Sequence, residues 1–486
     1  MKRAHIYFVS VSLLLVSCTG RTDPDMALIE AVENNLLPPV IVEGEETEGM
    51  NILDRMEYFH IPGVSIAFLN GGKIAWAKGY GYTSADSSRP VDAQTLFQAA
   101  SISKPVAALA ALALVEEGKI GLDEDVNGYL EGWQVEENQF TSDEKVTLRR
   151  ILSHSAGLTV HGFGGYADGE DVPELVQILN GEEPANSDRI YPDTVPGSQY
   201  SYSGGGYTIM QKMLCDVTGE SFPDLMEERV LSRIGMNMST YQQPLPEERW
   251  ENAACGYRAT GAMVEGRWHT YPEMAAAGLW TTPTDLLKYV MEVQLSYAGV
   301  SNRILSMGMT QEMLTAQMDD HGLGPGVGGS GDSITFNHGG ANEGYRCGLL
   351  AFTKLGQGLV IMTNGDRGGE LISEIQRSFS VQYGWPFKPE VKVIVPLGKE
   401  QLESLEGRYR LTIQGQDLVL EFTGMEDHLK GTQLWNGFQF EMYPESATRF
   451  FNRDDGAEFE FSLDENGMPA GITIYEGSAE YFFQKI

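Results

Sequence analysis

The sequence predicts an α+β protein, in which a mostly antiparallel sheet flanked by helices, with a helical insertion, is followed by an all-β, barrel-like domain. Three observations predict this fold class. Strand-like segments open and close the region that ends near residue 385, helical segments lie between them, and short alternating strands fill the remainder. Strands from both ends of such a region pair in one sheet, with the helices set apart from it. The 486 residues suggest two or three domains, and a hydrophobic fraction of 42% excludes wholesale disorder.

The N-terminus has the pattern of a targeting segment. A positively charged start, MKR, precedes an apolar run at residues 6–16, which is too short to span a bilayer. The run ends in the letters LVSC, which resemble a bacterial lipobox with Cys18 last. We expect residues 1–17 to be a lipoprotein signal peptide, Cys18 to carry the lipid and residues 18–44 to form a tether with a first helix. This predicts a membrane-anchored, periplasm-facing lipoprotein of the bacterial cell envelope; simple secretion and a buried N-terminal strand are the alternatives.

Charge and cysteine content exclude several functions. The formal net charge is −34, so nucleic acid and anionic lipid surfaces would be repelled. The three cysteines after Cys18 are Cys215, Cys255 and Cys347, far apart and without the paired spacing of a metal site. Their odd number argues against a full disulfide framework and leaves one bridge possible. No cofactor or metal is expected.

The first elements are a hairpin and an apolar helix. Two strand-like runs in GVSIAFLNGGKIAWAKGYGY, residues 63–82, flank the turn signal Asn70-Gly71-Gly72. Residues 103–117 predict a helix that ends at Gly118. Helical patterns follow at 146–158, 205–231 and 281–297, and strand patterns at 333–340, 345–353 and 358–364. A last helix is predicted at 369–383.

The C-terminal part follows a different pattern. Proline punctuates residues 386–396, which predicts a linker between a domain at residues 45–385 and a second domain at residues 397–486. In the second domain, short alternating runs are separated by turn signals such as Asp455-Gly456. This pattern is typical of a small barrel or sandwich.

The segment Ser101-Ile102-Ser103-Lys104 carries the chemistry. Residues three apart share one face of a helix, and Pro105 is tolerated only in a first turn, so a helix begins at this point. Ser101 then lies beside unpaired N–H groups at the positive end of the helix dipole, where an oxyanion is stabilised. Burial among the apolar residues that follow would lower the pKa of Lys104 and let its amine accept the serine proton.

The same spacing recurs between Ser142 and Lys145. There it lies among acidic residues, which would keep Lys145 protonated, and Ser142 is typical of a helix cap. The surroundings, and not the spacing, separate the two copies.

Three further segments support one resemblance: RRILSHSAGL, GSQYSYSGGGYTIMQKMLCDVTGESF and HGGANEGYRCGL. With the Ser-x-x-Lys segment they resemble, in order, the serine β-lactamase-related family of class C β-lactamases, low-molecular-weight penicillin-binding proteins, D-aminopeptidases and esterases. The match covers about residues 45–385 and implies a β-lactamase/transpeptidase-like fold. Residues 397–486 resemble the β-barrel appendage of some members.

The resemblance implies roles for single residues. Ser101 would be the nucleophile and Lys104 its proton partner, and Tyr202 would act as base in acylation and as acid toward the leaving group. His338 would belong to the Lys/His-x-Gly motif, as a weak, pH-dependent carboxylate anchor in place of lysine. The implied substrate-binding positions are Gly204, Gly340, Ala341 and Asn342, with the N–H groups of Ser101 and Ala341 as the oxyanion hole.

One position departs from the family pattern. The family has asparagine, which binds the acylamide group of the substrate, where this chain has Gly204. Together with His338, this favours a serine hydrolase that forms an acyl-enzyme at Ser101 and cleaves small esters, amides or D-amino-acid and peptide derivatives. A D,D-peptidase, penicillin-binding protein or β-lactamase acting on peptidoglycan or β-lactams, and a catalytically silent envelope binding protein, are the alternatives. His154 is interpreted as structural and Arg346 as a surface strand residue.

Overall fold

The computed structural model describes residues 24–86, 88–413, 415–476 and 479–486. The predicted signal peptide and Cys18 therefore lie outside the described residues. The helices are α1 (Pro24–Glu33), α2 (Ile52–Tyr58), α3 (Ser103–Glu116), α4 (Leu148–Leu152), α5 (Leu175–Asn180), α6 (Gly204–Thr218), α7 (Phe222–Met226), α8 (Ser232–Ile234), α9 (Glu247–Trp250), α10 (Met274–Ala277), α11 (Pro283–Tyr297), α12 (Met307–Met313), α13 (Gly368–Tyr383) and α14 (Lys399–Ser404).

The strands divide into two short pairs, one sheet and one barrel. They are β1 (Val40–Val42), β2 (Gly63–Asn70), β3 (Lys73–Gly81), β4 (Phe97–Gln98), β5 (Trp280–Thr281), β6 (Gly326–Gly328), β7 (Thr335–Asn342), β8 (Tyr345–Phe352), β9 (Gln357–Thr363), β10 (Glu390–Lys392), β11 (Gly407–Ile413), β12 (Gln416–Gly424), β13 (Leu429–Gln433), β14 (Gln439–Pro444), β15 (Arg449–Phe451), β16 (Glu458–Leu463), β17 (Pro469–Glu476) and β18 (Ala479–Lys485).

A six-stranded antiparallel sheet is built from both ends of the first domain. Its order is β3-β2-β9-β8-β7-β6, and the helices from α3 to α12 are inserted between β3 and β6. The predicted turn between β2 and β3 forms with positive φ at Gly71 and Gly72. The predicted antiparallel sheet with a helical insertion is confirmed.

Strand β2 shows why the sheet needs helices on both faces. Seven of its eight residues are buried, and alternate side chains enter two different cores. Ala67 and Leu69 pack with residues of α3, α6 and α11, whereas Ile66 and Phe68 pack with residues of α2 and α13. Because successive side chains of a strand point to opposite faces, a strand covered on both sides is apolar throughout.

Helix α3 lies inside the larger of these cores. Twelve of its 14 residues are buried, including Lys104. A helix that is apolar all round is stable only when it is covered on every side. Its alanines leave room for close neighbours, and its end at Gly118, with φ +68°, agrees with the predicted boundary.

Residues 407–485 form a closed barrel of eight strands, β11 to β18, so the predicted C-terminal barrel is confirmed. Aromatic side chains, among them Tyr409, Phe422 and Phe461, fill its interior together with two leucines of α14 and the adjoining turn.

The region expected to be a tether is in contact with the region expected to be a linker, because β1 pairs in parallel with β10. In the described part of the chain, no helix has both the length and the apolarity needed to cross a bilayer.

Strand β7 comes close to the turn that carries Ser101. A Cβ atom added at Gly340 would lie 2.3 Å from the carbonyl oxygen of Ala99, whereas one added at Gly339 would meet nothing within 4 Å. The strand can therefore lie against this turn only with glycine at position 340.

We expect Gly340→Ala to lower the free energy of unfolding by about 2 kcal/mol, since an overpacked contact forces the backbone apart. Gly339→Ala, the matched control on the neighbouring residue, should change it by less than about 0.5 kcal/mol. Urea unfolding followed by tryptophan fluorescence measures both. Equal destabilisation by the two variants would contradict the close approach.

Candidate active site

Ser101 lies in a 3-10 turn, Ala100–Ile102, that leads directly into α3. The preceding residue, Ala100, has a φ of +49°, a left-handed conformation that is strained for any residue with a side chain. Such strain persists where the surrounding structure holds the backbone in place, and it is found mostly at functional sites. The turn therefore holds the Ser101 hydroxyl at the mouth of α3, where the sequence placed it.

Lys104 is in contact with Ser101. Its Nζ lies 2.9 Å from Ser101 Oγ and donates a hydrogen bond of 2.9 Å to the carbonyl oxygen of Ala276 in α10. Only 2% of the residue is exposed, and this burial lowers the pKa of Lys104 to about 7. No carboxylate of the described residues offsets the effect. At neutral pH a large fraction of this amine is therefore uncharged.

The second Ser-x-x-Lys copy has the opposite environment. Ser142 is exposed, and Lys145 Nζ lies 2.6 Å from a carboxylate oxygen of Glu137. This hydrogen bond raises the pKa of Lys145, so its amine stays protonated. The contrast agrees with the surroundings read from the sequence, but Ser142 caps no helix, because α4 begins at Leu148 with Thr147 as its N-cap.

Tyr202 completes a three-residue contact. Its side chain hydrogen-bonds Ser101, and Lys104 Nζ lies 4.9 Å from the centre of its ring. Burial raises the pKa of Tyr202 to about 12, and the hydrogen bond to Ser101 offsets only part of this. The phenol is therefore protonated at neutral pH, which suits the second of the two roles that the resemblance implied for Tyr202, that of acid toward the leaving group; the role of base stays a prediction.

His154 holds the segment that carries Tyr202. Its backbone oxygen accepts a hydrogen bond of 2.7 Å from the Ser201 N–H, and its Nδ1 accepts one of 3.1 Å from the Ser203 N–H. Its ring stacks on that of Tyr202 with 4.0 Å between centres. Burial, followed by the charge of Lys104, lowers the pKa of His154 well below its usual value. The neutral ring therefore positions Tyr202, which is a structural role, as the sequence analysis interpreted for His154.

His338 faces the same site from β7 but carries no charge at neutral pH. Its Nδ1 donates to the carbonyl oxygen of Gly339 at 2.6 Å. Burial, and then the charge of Lys104, lowers the pKa of His338 to about 3. The expected pH-dependent cation is therefore missing at this position, because a nearly buried ring beside a second basic group binds a proton poorly.

The other predicted binding positions have different surroundings. Gly340 and Ala341 line the cleft from β7. Asn342 also lines it, but its side-chain amide is buried and donates to Gln98 Oε1 at 2.7 Å and to the Ala277 carbonyl oxygen at 3.1 Å. Asn342 thus joins β7 to the helical region, and the N–H groups of its side-chain amide are already used within the protein and not available to a ligand. Gly204 begins α6 and is buried.

These residues surround one cleft of about 770 Å³. The described side chains that line it include His161, Phe163, His321 and Arg346, and none of them is Asp or Glu. Arg346 lies on β8 and is 3.1 Å from Asp366, so its charge is largely compensated. In a chain with a formal net charge of −34, the cleft is close to neutral.

Metal ligands are not brought together within the described residues, where no cluster of three His, Cys, Asp or Glu side chains could hold an ion. Cys215, Cys255 and Cys347 are free thiols, so the bridge that the sequence left open does not form among them.

An antiparallel sheet between two helical layers, with Ser-x-x-Lys at the start of the central helix, defines the β-lactamase/transpeptidase-like class of proteins. The chain belongs to the beta-lactamase family, whose family model matches residues 51–381. Members of this family are typically serine hydrolases. The predicted family and fold are therefore confirmed.

Several known proteins are similar to this chain. Penicillin-binding protein 4* of Bacillus subtilis is 22% identical over 437 residues, which are 84% of this chain and 92% of the relative. The octameric penicillin-binding protein homologue from Pyrococcus abyssi superposes with a TM-score of 0.60 at 21% identity, over 89% of this chain and 98% of that one. A class C beta-lactamase mutant superposes with a TM-score of 0.56 at 20% identity, over 74% and 99%. These likenesses establish a shared fold.

The pKa of Lys104 predicts a pH profile. Raising the pH removes the ammonium proton, so the rate at which a fluorophosphonate labels the protein should rise about tenfold per pH unit below 7 and level off above it. Lys104→Ala should slow labelling by about 10²- to 10⁴-fold and abolish the inflection, while Lys145→Ala should leave both unchanged. A flat profile for the unaltered protein between pH 5 and pH 9 would contradict a base with a pKa near 7.

His154 predicts a second effect. His154→Ala removes the ring beneath Tyr202 and the acceptor for the Ser203 N–H, so the labelling rate should fall by on the order of 10²-fold through misplacement of the phenol. His428→Ala, in the C-terminal barrel, is the control. Labelling at the normal rate by a folded His154→Ala variant, as judged by circular dichroism, would show that Tyr202 does not depend on this ring.

Proposed function

We propose that the protein is a serine hydrolase that forms an acyl-enzyme at Ser101 and cleaves small esters, amides or D-amino-acid and peptide derivatives. One observation carries the proposal. Lys104 is 2% exposed, and its amine lies 2.9 Å from Ser101 Oγ and pairs with no carboxylate of the described residues. A base of this kind, with a pKa near the working pH, is what activation of a serine hydroxyl requires.

Acylation follows from these contacts. The Ser101 hydroxyl proton passes to Lys104 Nζ while Oγ attacks the substrate carbonyl carbon, and the resulting oxyanion accepts hydrogen bonds from the Ser101 and Ala341 N–H groups. One such donor contributes about 3 kcal/mol to the transition state. The Tyr202 phenol donates its proton to the departing oxygen or nitrogen and regains one from the Lys104 ammonium.

Deacylation uses the same groups. A water molecule loses a proton to Lys104 Nζ and attacks the acyl carbonyl carbon, and Ser101 Oγ leaves and takes up that proton. The acid product and the free hydroxyl result, with no net change in the enzyme.

The site lacks partners for two groups that β-lactams and D-alanyl peptides carry. β-Lactams and D-alanyl peptides carry a carboxylate and an acylamide group. His338 is neutral, Arg346 is paired, and Gly204 has no side chain, so neither group finds a matching partner. Small esters and amides without these groups suit the cleft better.

A second candidate is a peptidase or penicillin-binding protein acting on peptidoglycan. It is favoured by the similarity to penicillin-binding protein 4*, which extends over 92% of that protein. The predicted lipid at Cys18 would place either activity in the cell envelope, anchored to a membrane.

A fluorophosphonate probe tests the proposal directly. We expect one adduct by intact-protein mass spectrometry, mapped by digestion to Ser101 and lost in Ser101→Ala. Ser142→Ala is the matched control, since that serine has the same spacing to a lysine, and it should label normally. An unlabelled protein at every pH from 5 to 9 would instead support a catalytically silent binding protein.

A substrate panel distinguishes the two candidate hydrolase activities. After incubation with short-chain p-nitrophenyl esters, amides and a penicillin, we expect turnover of the esters and no stable penicilloyl adduct by intact-protein mass spectrometry. A stable adduct at Ser101 would favour the penicillin-binding alternative.

A further inference from the structure

The segment Gly204-Gly205-Gly206 at the start of α6 lies against a loop that runs from Thr159 to Phe163. The Gly204 N–H donates to the His161 carbonyl oxygen at 3.0 Å, and the Gly205 N–H donates to the Val160 carbonyl oxygen at 3.0 Å. A Cβ atom at Gly205 would lie 2.7 Å from the carbonyl oxygen of Thr159. The glycines therefore have a steric function, because they let the loop lie directly on the helix.

The loop is held in one conformation. Val160 has a φ of +66°, which is strained for a β-branched residue. The Ser203 hydroxyl donates to the carbonyl oxygen of Thr159 at 2.9 Å, and this bond joins those of Gly204 and Gly205. Three hydrogen bonds from consecutive residues thus maintain a strained residue beside the cleft.

Phe163 occupies the space that a side chain at position 204 would need. An added Cβ atom at Gly204 would lie 3.1 Å from Phe163 Cε2 and 3.1 Å from the His161 carbonyl oxygen. Phe163 is half-buried and lines the same cleft as Ser101 and Tyr202. An apolar ring therefore stands where relatives with asparagine at this position would present an amide.

We infer that Phe163 is a specificity-determining residue that selects substrates with an apolar acyl group and disfavours those whose acyl group carries an amide. The inference rests on the proposed hydrolysis at Ser101. A polar amide placed against the ring would lose its hydrogen bonds to water and gain none in return, whereas an alkyl chain would bury apolar surface.

Two esters of equal chain length test the inference: p-nitrophenyl pentanoate and p-nitrophenyl N-acetylglycinate, which differ by an amide group. We expect the unaltered protein to prefer the pentanoate by at least about tenfold in kcat/KM, the scale on which an apolar pocket discriminates. Phe163→Asn should bring the two values within about threefold of each other, mainly by slowing the pentanoate. Phe163→Leu, which keeps an apolar side chain, should retain the preference.

Phe438→Ala, at an exposed phenylalanine of the C-terminal barrel, is the control and should match the unaltered protein. The inference is overturned if the unaltered protein shows no preference between the two esters. It is also overturned if Phe163→Asn and Phe163→Leu lower kcat/KM for both esters by the same factor. In either case, fluorophosphonate labelling of Ser101 would still support the proposed hydrolase. Loss of both turnover and labelling in the unaltered protein would overturn the two together.

Discussion

The site depends on a lysine that is buried without a counter-charge. Lys104 lies in the first turn of a helix of 14 residues, 12 of which are buried, and its amine hydrogen-bonds the Ser101 hydroxyl and a backbone carbonyl oxygen of α10 and lies 4.9 Å from the centre of the Tyr202 ring. Because the residue is only 2% exposed, its charged form is poorly solvated and the pKa of Lys104 falls to about 7. Helices α6, α7 and α10 of the insertion pack against α3, and β7 packs against the turn of Ser101 that precedes it.

The charge distribution around Lys104 agrees with that constraint. The chain is strongly acidic, yet no Asp or Glu is among the described side chains that line the cleft. Glu273 lies three residues before Ala276 and is fully buried, and burial raises its pKa to about 8. Its carboxyl is therefore protonated at neutral pH, so it does not act as an anion that would hold the Lys104 proton. His154 and His338 are neutral for the same physical reason.

Close backbone approach determines the shape of the cleft. Gly340 lets β7 lie against the turn of Ser101, and the glycines at the start of α6 let the loop of Phe163 lie beside Tyr202. In both places an added Cβ atom would lie 3.1 Å or less from a backbone carbonyl oxygen, so Gly204, Gly205 and Gly340 mark close packing of two backbone segments. The apolar character of the cleft at this point follows from that packing.

The fold class, the hairpin of β2 and β3, the apolar helix after Ser101 and the C-terminal barrel could all be predicted from the amino-acid sequence, because periodicity, turn signals and capping residues act over a few neighbours. The sequence also distinguished Lys104 from Lys145 by their surroundings. Four features could not be predicted in this way: the short glycine-rich strand β6, the pairing of β1 with β10, the neutral state of His338, and the contacts of His154 and Phe163. These features arise from burial and from contacts between segments far apart in the chain, and no local pattern of residues specifies them.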